Sequence, residues 1–227
     1  LKKLRIIDLG MIDYQASHEL QLKLVEERLS NVIPDTIILL EHPHVITLGR
    51  RASSLELKIA GIPVYRVERG GEATYHGPGQ LVGYVILNLS KLKLTVKELV
   101  WCLEEILIRT LRDFGIDGFR VEGHPGVWVG SRKKIASIGL ALKSWITYHG
   151  FALNVNTDLS YFKCIRPCGL DPDVMTSMEE MLGRRIDMEI VKNSLTKHLV
   201  NVLNYEAHEY VRENLMLRDV ESKSVDK

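Results

Sequence analysis

The sequence predicts an α+β protein of one domain, with a mixed, largely antiparallel sheet packed by helices. Three observations predict it. Short β-branched runs bounded by glycine or proline recur from the first residues to about residue 155. Amphipathic helical stretches interrupt them without the strict strand–helix alternation of a doubly wound parallel sheet. No internal repeat, low-complexity block or Gly/Ser linker divides the 227 residues. A chain of this length buries most of the surface it exposes when unfolded, so neither disulfide staples nor a structural metal are needed.

Taken in order, KLRIIDLG at the start, TIILLEH (36–42) and HVITLG (44–49) read as strands. Between the first two, residues 16–33 place Leu20, Leu24, Val25, Leu29 and Val32 at helical spacing, which predicts a helix packed on the sheet. Strands are expected at 62–68 and 81–89. The helix from Thr95 to Phe114 is punctuated at both ends: Thr95 and Glu98 have capping-box spacing, and Gly115 stands where a left-handed C-terminal cap belongs. Its stripe of Leu99, Cys102, Leu103, Ile106, Leu107 and Leu111 makes Cys102 a core side chain. Strand-like runs follow at 126–130, 134–142 and 146–155. Two more helices are expected near 173–182 and 187–203, the second with Ile190, Val191, Leu195, Leu199 and Val202 on one face. Residues 218–227, RDVESKSVDK, read as a flexible tail after a domain of residues 1–217.

Charge and cysteine usage narrow the function classes. With 30 basic and 29 acidic residues the net charge is +1, so no polyanion-attracting field exists and no nucleic-acid partner is expected. No apolar run has the length of a membrane span or signal peptide, which predicts a cytoplasmic protein with no membrane partner. Three cysteines, Cys102, Cys164 and Cys168, do not make a secreted disulfide framework. A working thiol is compatible with that.

Two segments carry chemistry. In RGGEATYHGPGQLVGY (69–84), Gly70 and Gly71 permit close approach of another group to the backbone, while Gly77, Pro78 and Gly79 demand a rigid turn. The plain alternative is a long hairpin connection. Neither GxxxxGK[ST] nor a strand-following GxGxxG is present, so the usual phosphate loops are excluded. In CIRPCG (164–169), two cysteines fall short of the four ligands of a zinc site and miss CxxC spacing, so no metal is expected there. Cys168, between proline and glycine, reads either as a nucleophile on a fixed backbone, with amides near Gly169 as oxyanion donors, or as an ordinary buried cysteine. A thiol nucleophile needs a base or cation nearby. His76, His149 and Lys134, at the head of the apolar strand KIASIGLAL, all qualify, and spacing does not choose among them.

EHPHVITLGR (41–50), the glycine-rich block, KIASIG (134–139), HGFALN (149–154) and IRPCG (165–169) share an order and approximate spacing with the lipoyl(octanoyl) transferase family, which the chain resembles over nearly its full length. The resemblance implies the fold of biotin and lipoate protein ligases. It places the nucleophile on Cys168, not Cys164, and its partner on Lys134. The acyl pocket falls on Arg69, Gly70, Gly71, Glu72, Ala73, Thr74, Tyr75 and His76, with Ser137, Ile138, Gly139, Gly150, Phe151 and Ala152. The implied donor is octanoyl on the phosphopantetheine of acyl carrier protein. The implied acceptor is a lysine of a lipoyl domain, on a 2-oxoacid dehydrogenase E2 subunit or the glycine-cleavage H protein, with no cofactor and no ATP. Arg50, Arg51, Arg132 and Lys133 are expected to dock the acidic carrier. Two rivals stand beside this reading: an ATP-dependent lipoate or biotin ligase, which needs no cysteine, and a non-catalytic acyl-binding protein, which would keep the pocket.

Overall fold

Alternation along the strands sorts the apolar side chains onto the two faces of one sheet. In β1 (Lys3–Met11), Leu4 and Ile6 enter one core while Ile7 and Leu9 enter the other. The computed structural model describes residues 2–52, 61–165 and 169–212, and the expected tail at 218–227 lies outside them. The main sheet holds eight strands: β1, β2 (Asp35–Glu41), β6 (Gln80–Ile86), β7 (Gly118–Val121), β8 (His124–Val129), β9 (Lys133–Lys143), β10 (Ile146–Asn154) and β11 (Ala207–Arg212). Their order is β11-β1-β2-β6-β10-β9-β8-β7. The pairs β11-β1 and β1-β2 are parallel and every other pair is antiparallel, so the sheet is mixed and largely antiparallel as expected. A second sheet, β4-β3-β5, is made of β3 (Val45–Leu48), β4 (Val64–Arg66) and β5 (Ala73–His76).

Helices α3 (Val96–Asp113) and α5 (Met188–Val202) cover one face of the main sheet through Leu99, Leu103, Leu107, Val191, Leu195 and Leu199. Thr95 caps α3 through the full capping box with Glu98, and Gly115, at φ +77°, follows its C-terminal turn. Cys102 is half-buried against this core, and burial pushes its thiol pKa up, which keeps it protonated and inert. A short helix, α2 (Leu89–Leu92), connects β6 to α3.

Helix α1 (Tyr14–Leu29) covers the other face largely with the expected stripe: Leu24 and Val25 are buried and Leu20 and Leu29 pack against the same core, while Val32 lies outside the helix. It begins at Tyr14, capped by Asp13, and ends at Leu29, because Asn31 turns left-handed at φ +57° and leaves Val32 73% exposed. Its buried face is Tyr14, Ser17, Gln21, Leu24, Val25 and Arg28. Of its polar members, Tyr14 stands on the wall of the cavity described below and Arg28 pairs with Asp35, positions that apolar periodicity does not mark.

Other differences have similar causes. Residues 173–182 do not form one helix. A 3-10 turn at Pro172–Val174 is followed by Met175, which bridges to Lys134, and α4 covers only Met178–Leu182. The helix yields because this stretch pairs with the end of β9. On α5, Ile190 is 56% exposed instead of lying on the apolar face. Strand β5 lies inside the block that composition read as loop, and pairs antiparallel with β3, so the hairpin alternative is overturned. Strands β7 and β11 went unread because they are short or polar edge strands. No helix among the described residues is long and apolar enough to cross a membrane.

Candidate active site

The site is floored by three adjacent antiparallel strands. Their register places Ser137, Ala152 and Val82 in one row, and Gly139, Gly150 and Tyr84 in the next row on the same face. The intervening row of Ile138, Phe151 and Gly83 points its side chains the other way, and the Phe151 ring lies where a Gly83 Cβ would stand. Four small residues facing one way leave a slot above the sheet. A side chain at Gly150 would collide with the Gly83 carbonyl, its built Cβ lying 2.0 Å from that oxygen, so the glycine also permits strand pairing.

The glycine-rich loop roofs this slot. Gly70 N donates to Leu140 O (3.0 Å), tying the loop to β9. Gly49, Arg50 and Arg51 donate to the carbonyls of Glu72, Arg69 and Gly71, each at 3.1 Å, tying it to the end of β3. Gly71 holds φ +90°, which favours glycine. Arg69 is buried and its Nη2 donates to Thr47 O (2.8 Å) and Oγ1 (2.9 Å). The turn Gly77–Gln80 closes with Gln80 N donating to Gly77 O (3.1 Å), and Gly79 at φ +81° packs where a Cβ would strike Asn156 O.

The resulting cavity is narrow and opens to solvent. Arg69, Gly70, Gly71, Thr74 and His76 line it from the loop side, and Ser137, Ile138, Gly139, Gly150, Phe151 and Ala152 from the sheet. Glu72, Ala73 and Tyr75 do not. Ala73 and Tyr75 point into a small apolar cluster with Ile46, Phe162 and Met175, and the Glu72 carboxylate packs against Gly169, 2.7 Å from where its Cβ would be. Sequence reasoning missed Tyr14, Val82 and Tyr84 on the wall. Val82 and Tyr84 had a signal: they flank Gly83 at strand spacing inside the glycine-rich block.

Lys134 is 3% exposed at the start of β9. Its Nζ lies 5.5 Å from the centre of the Trp128 ring, and Gly126 makes room for its stem, since a Cβ there would stand 3.0 Å from Lys134 Cε. A hydrogen-bonded chain connects its backbone to the cavity. Thr176 N donates to Lys134 O (3.0 Å), Asn154 Nδ2 to Thr176 O (2.9 Å), and Gln80 Nε2 to Asn154 Oδ1 (2.9 Å). Gln80 Nε2 also faces the Tyr75 carbonyl, so its Oε1 accepts from His76 Nδ1 at 2.7 Å. His76 therefore keeps a lone pair on Nε2. Cys168 lies outside the described residues, and Gly169, next to it in the chain, has φ +74°. Cys164 is half-buried at the end of the 3-10 turn Leu159–Cys164.

Burial keeps the histidines around the cavity neutral. Desolvation lowers His76 and His149 to about 3 and His42 to about 4, from 6.5. His42 donates from Nδ1 to Ile12 O (2.7 Å) and accepts from the Tyr84 hydroxyl (2.8 Å). Between pH 6.5 and about 4 the unfolded chain binds protons that these folded histidines refuse, so stability falls as pH drops through that window. Urea unfolding at a series of pH values is expected to show uptake of more than one proton per chain there. A slope of one proton or fewer would mean the histidines are solvated.

An eight-stranded mixed sheet with a glycine-rich loop roofing a narrow cavity defines the class of the lipoate and biotin protein ligases. A bipartite lipoate protein ligase from Thermoplasma acidophilum superposes with a TM-score of 0.71 at 16% identity, covering 100% of this chain and 93% of that one. Biotin protein ligase from Aquifex aeolicus gives 0.53 at 16% identity, covering 90% and 70%. Residues 13–200 match the family described as lipoyl protein ligase A/B catalytic domain. The octanoyltransferase of Syntrophobacter fumaroxidans is 48% identical over 206 residues, 88% of this chain and 90% of its own. That of Alkaliphilus metalliredigens is 44% identical over 216 residues, 92% and 99% respectively. The chain belongs to the octanoyltransferase family and is an acyltransferase.

Proposed function

We propose that the chain takes octanoyl from the phosphopantetheine thioester of acyl carrier protein, holds it on Cys168, and passes it to a lysine of a lipoyl domain. The observation that carries this is the slot itself: a narrow channel over Ser137, Gly139, Gly150 and Ala152, roofed by backbone, with Lys134 at the end of the same strand. Lys134 pairs with Trp128 and Ser137 with Gly126 across a bulge, so about two residue steps, about 7 Å, separate them along the sheet. An extended octanoyl chain of seven bonds near 1.5 Å, zigzagged, spans on the order of 9 Å. A carbonyl carbon beside Lys134 thus puts the last methylenes over the Ser137–Ala152–Val82 row.

In this mechanism the Cys168 thiolate attacks the donor carbonyl, amides near Gly169 bear the oxyanion, and the phosphopantetheine thiolate leaves, taking a proton from the Lys134 ammonium, which becomes the neutral amine. The acceptor amine then attacks the new thioester. An amide forms, Lys134 accepts the ammonium proton, and the Cys168 thiolate is restored. Both steps begin from a thioester, so no nucleotide is needed. The exposed Arg50 and Arg51 are tied by their backbone amides to the roof loop, and Lys133 adjoins Lys134. Together with Arg132 they give the acidic carrier a basic rim to dock on, and carrier and lipoyl domain are the partners proposed.

The test is transfer without ATP. Octanoyl acyl carrier protein, the chain and a lipoyl domain are mixed, and intact-mass spectrometry follows the octanoyl increment first on the chain and then on the domain. An absolute requirement for ATP would replace this reading with the ligase. Acyl carrier protein that comes away still charged, with no increment on the chain, would replace it with acyl binding alone.

A further inference from the structure

His18 on α1, Glu68 just before the roof loop and His149 on β10 converge at the rim of the cavity from distant parts of the sequence. Glu68 Oε2 lies 3.3 Å from His18 Nε2 and 3.7 Å from His149 Nε2, and one ligand atom from each residue lies within 4.8 Å of the others. Two ligands bonded to a tetrahedral zinc ion at about 2.0–2.1 Å stand about 3.3–3.4 Å apart. The carboxylate and each imidazole are therefore already close to coordination spacing.

A second observation points to a ligand. The Nε2 atoms of His149 and His18 are both buried without a hydrogen-bond partner, and the His149 side chain is only 2% exposed. Leaving such an atom unsatisfied costs about 1–3 kcal/mol, and a bound cation would satisfy both at once. The backbone is arranged to keep them together. His149 sits at φ +57°, an uncommon conformation for a residue with a side chain, and its amide donates to Gln21 Oε1 (2.9 Å) on the helix that carries His18. The two imidazoles stack with centres 5.5 Å apart.

We propose that His18, Glu68 and His149 bind a divalent transition-metal ion, with zinc the best match, at the rim of the acyl cavity. Two imidazoles and one carboxylate suit zinc better than magnesium or calcium, which prefer all-oxygen shells. Three protein ligands leave a fourth position open. Glu68, 49% exposed, gives the ion a path from solvent and supplies the negative charge that offsets nearby Arg69. Arg69 turns its guanidinium toward Thr47 and the Gly70 carbonyl.

The test uses the full chain, stripped with chelator, titrated with zinc chloride by calorimetry and with cobalt chloride by absorption. One equivalent is expected to bind, with ligand-field bands of tetrahedral intensity and no thiolate charge-transfer band. His18→Ala should abolish the stoichiometric step, and Glu68→Gln, at a half-exposed position that unfolding does not threaten, should weaken it about tenfold or more. Binding should survive in Cys168→Ser. Absence of a saturable equivalent, undiminished binding in both variants, or a thiolate band that disappears with Cys168→Ser would each overturn the proposal.

Discussion

Cys168→Ser is expected to lower the rate of octanoyl transfer by on the order of 10³-fold or more, and to remove the acyl increment seen by intact mass, while Cys164→Ser leaves both. The argument starts from chemistry. A thioester is attacked readily by thiolate and poorly by a neutral hydroxyl, so serine retains shape and loses nucleophilicity. It then draws on position: Gly169 lies against the carboxylate of Glu72, and Glu72 directly follows the cavity-lining Gly70 and Gly71. Lys134→Met tests the partner. Methionine keeps the buried stem that packs over Gly126 and beside Trp128, so the loss reports the amine and not a cavity. A fall of about 10²–10⁴-fold is expected, typical of removing a general base. Lys134→Met with the native rate would transfer the proton-handling role to His76, which lines the cavity and, donating from Nδ1 to Gln80, keeps a lone pair on Nε2.

The sequence made the strands that floor the cavity legible because each is a long apolar run with clear boundaries. KIASIGLAL and ITYHGFALNV both appear as strands near their expected limits, and period-two alternation within them already places Ser137, Gly139, Gly150 and Ala152 on one face. The elements it hid are those that serve the site. Tyr14 and His18 line the cavity side of a helix whose apolar stripe of Leu20, Leu24, Val25 and Leu29 is legible, but their own polar positions carry no apolar period. Strand β5 is hidden in a segment whose glycines speak for a loop, yet Ala73 and Tyr75 anchor it in its own apolar cluster and leave Thr74 and His76 on the cavity wall. The stretch after Val174 has helical composition but gives up its helix to pair with Lys134. The convergence of His18, Glu68 and His149 has no sequence spacing to announce it, since three separate elements bring it about.

Ala152→Leu is expected to shift chain-length preference away from octanoyl. Ala152 stands between Ser137 and Val82 in the row that the last methylenes reach in the proposed mechanism. Leucine adds three carbons into that space. If they displace three methylenes of the acyl chain, the lost burial is about 2.4 kcal/mol at about 0.8 kcal/mol each, roughly 60-fold in kcat/KM for octanoyl. Butanoyl ends short of this row and should lose far less, so the octanoyl-to-butanoyl ratio falls by nearly the whole factor. Steady-state transfer from the two acyl carrier proteins measures it, with a thermal melt to show that the variant folds. Equal losses for both chains in a folded variant would mean that the acyl chain does not run along the sheet from Lys134. The contrast with Gly150 explains the choice of site. A Cβ at Gly150 would press on the Gly83 carbonyl and part β10 from β6, so a loss there would report the sheet, whereas Ala152 already carries a Cβ and its added carbons extend into the slot.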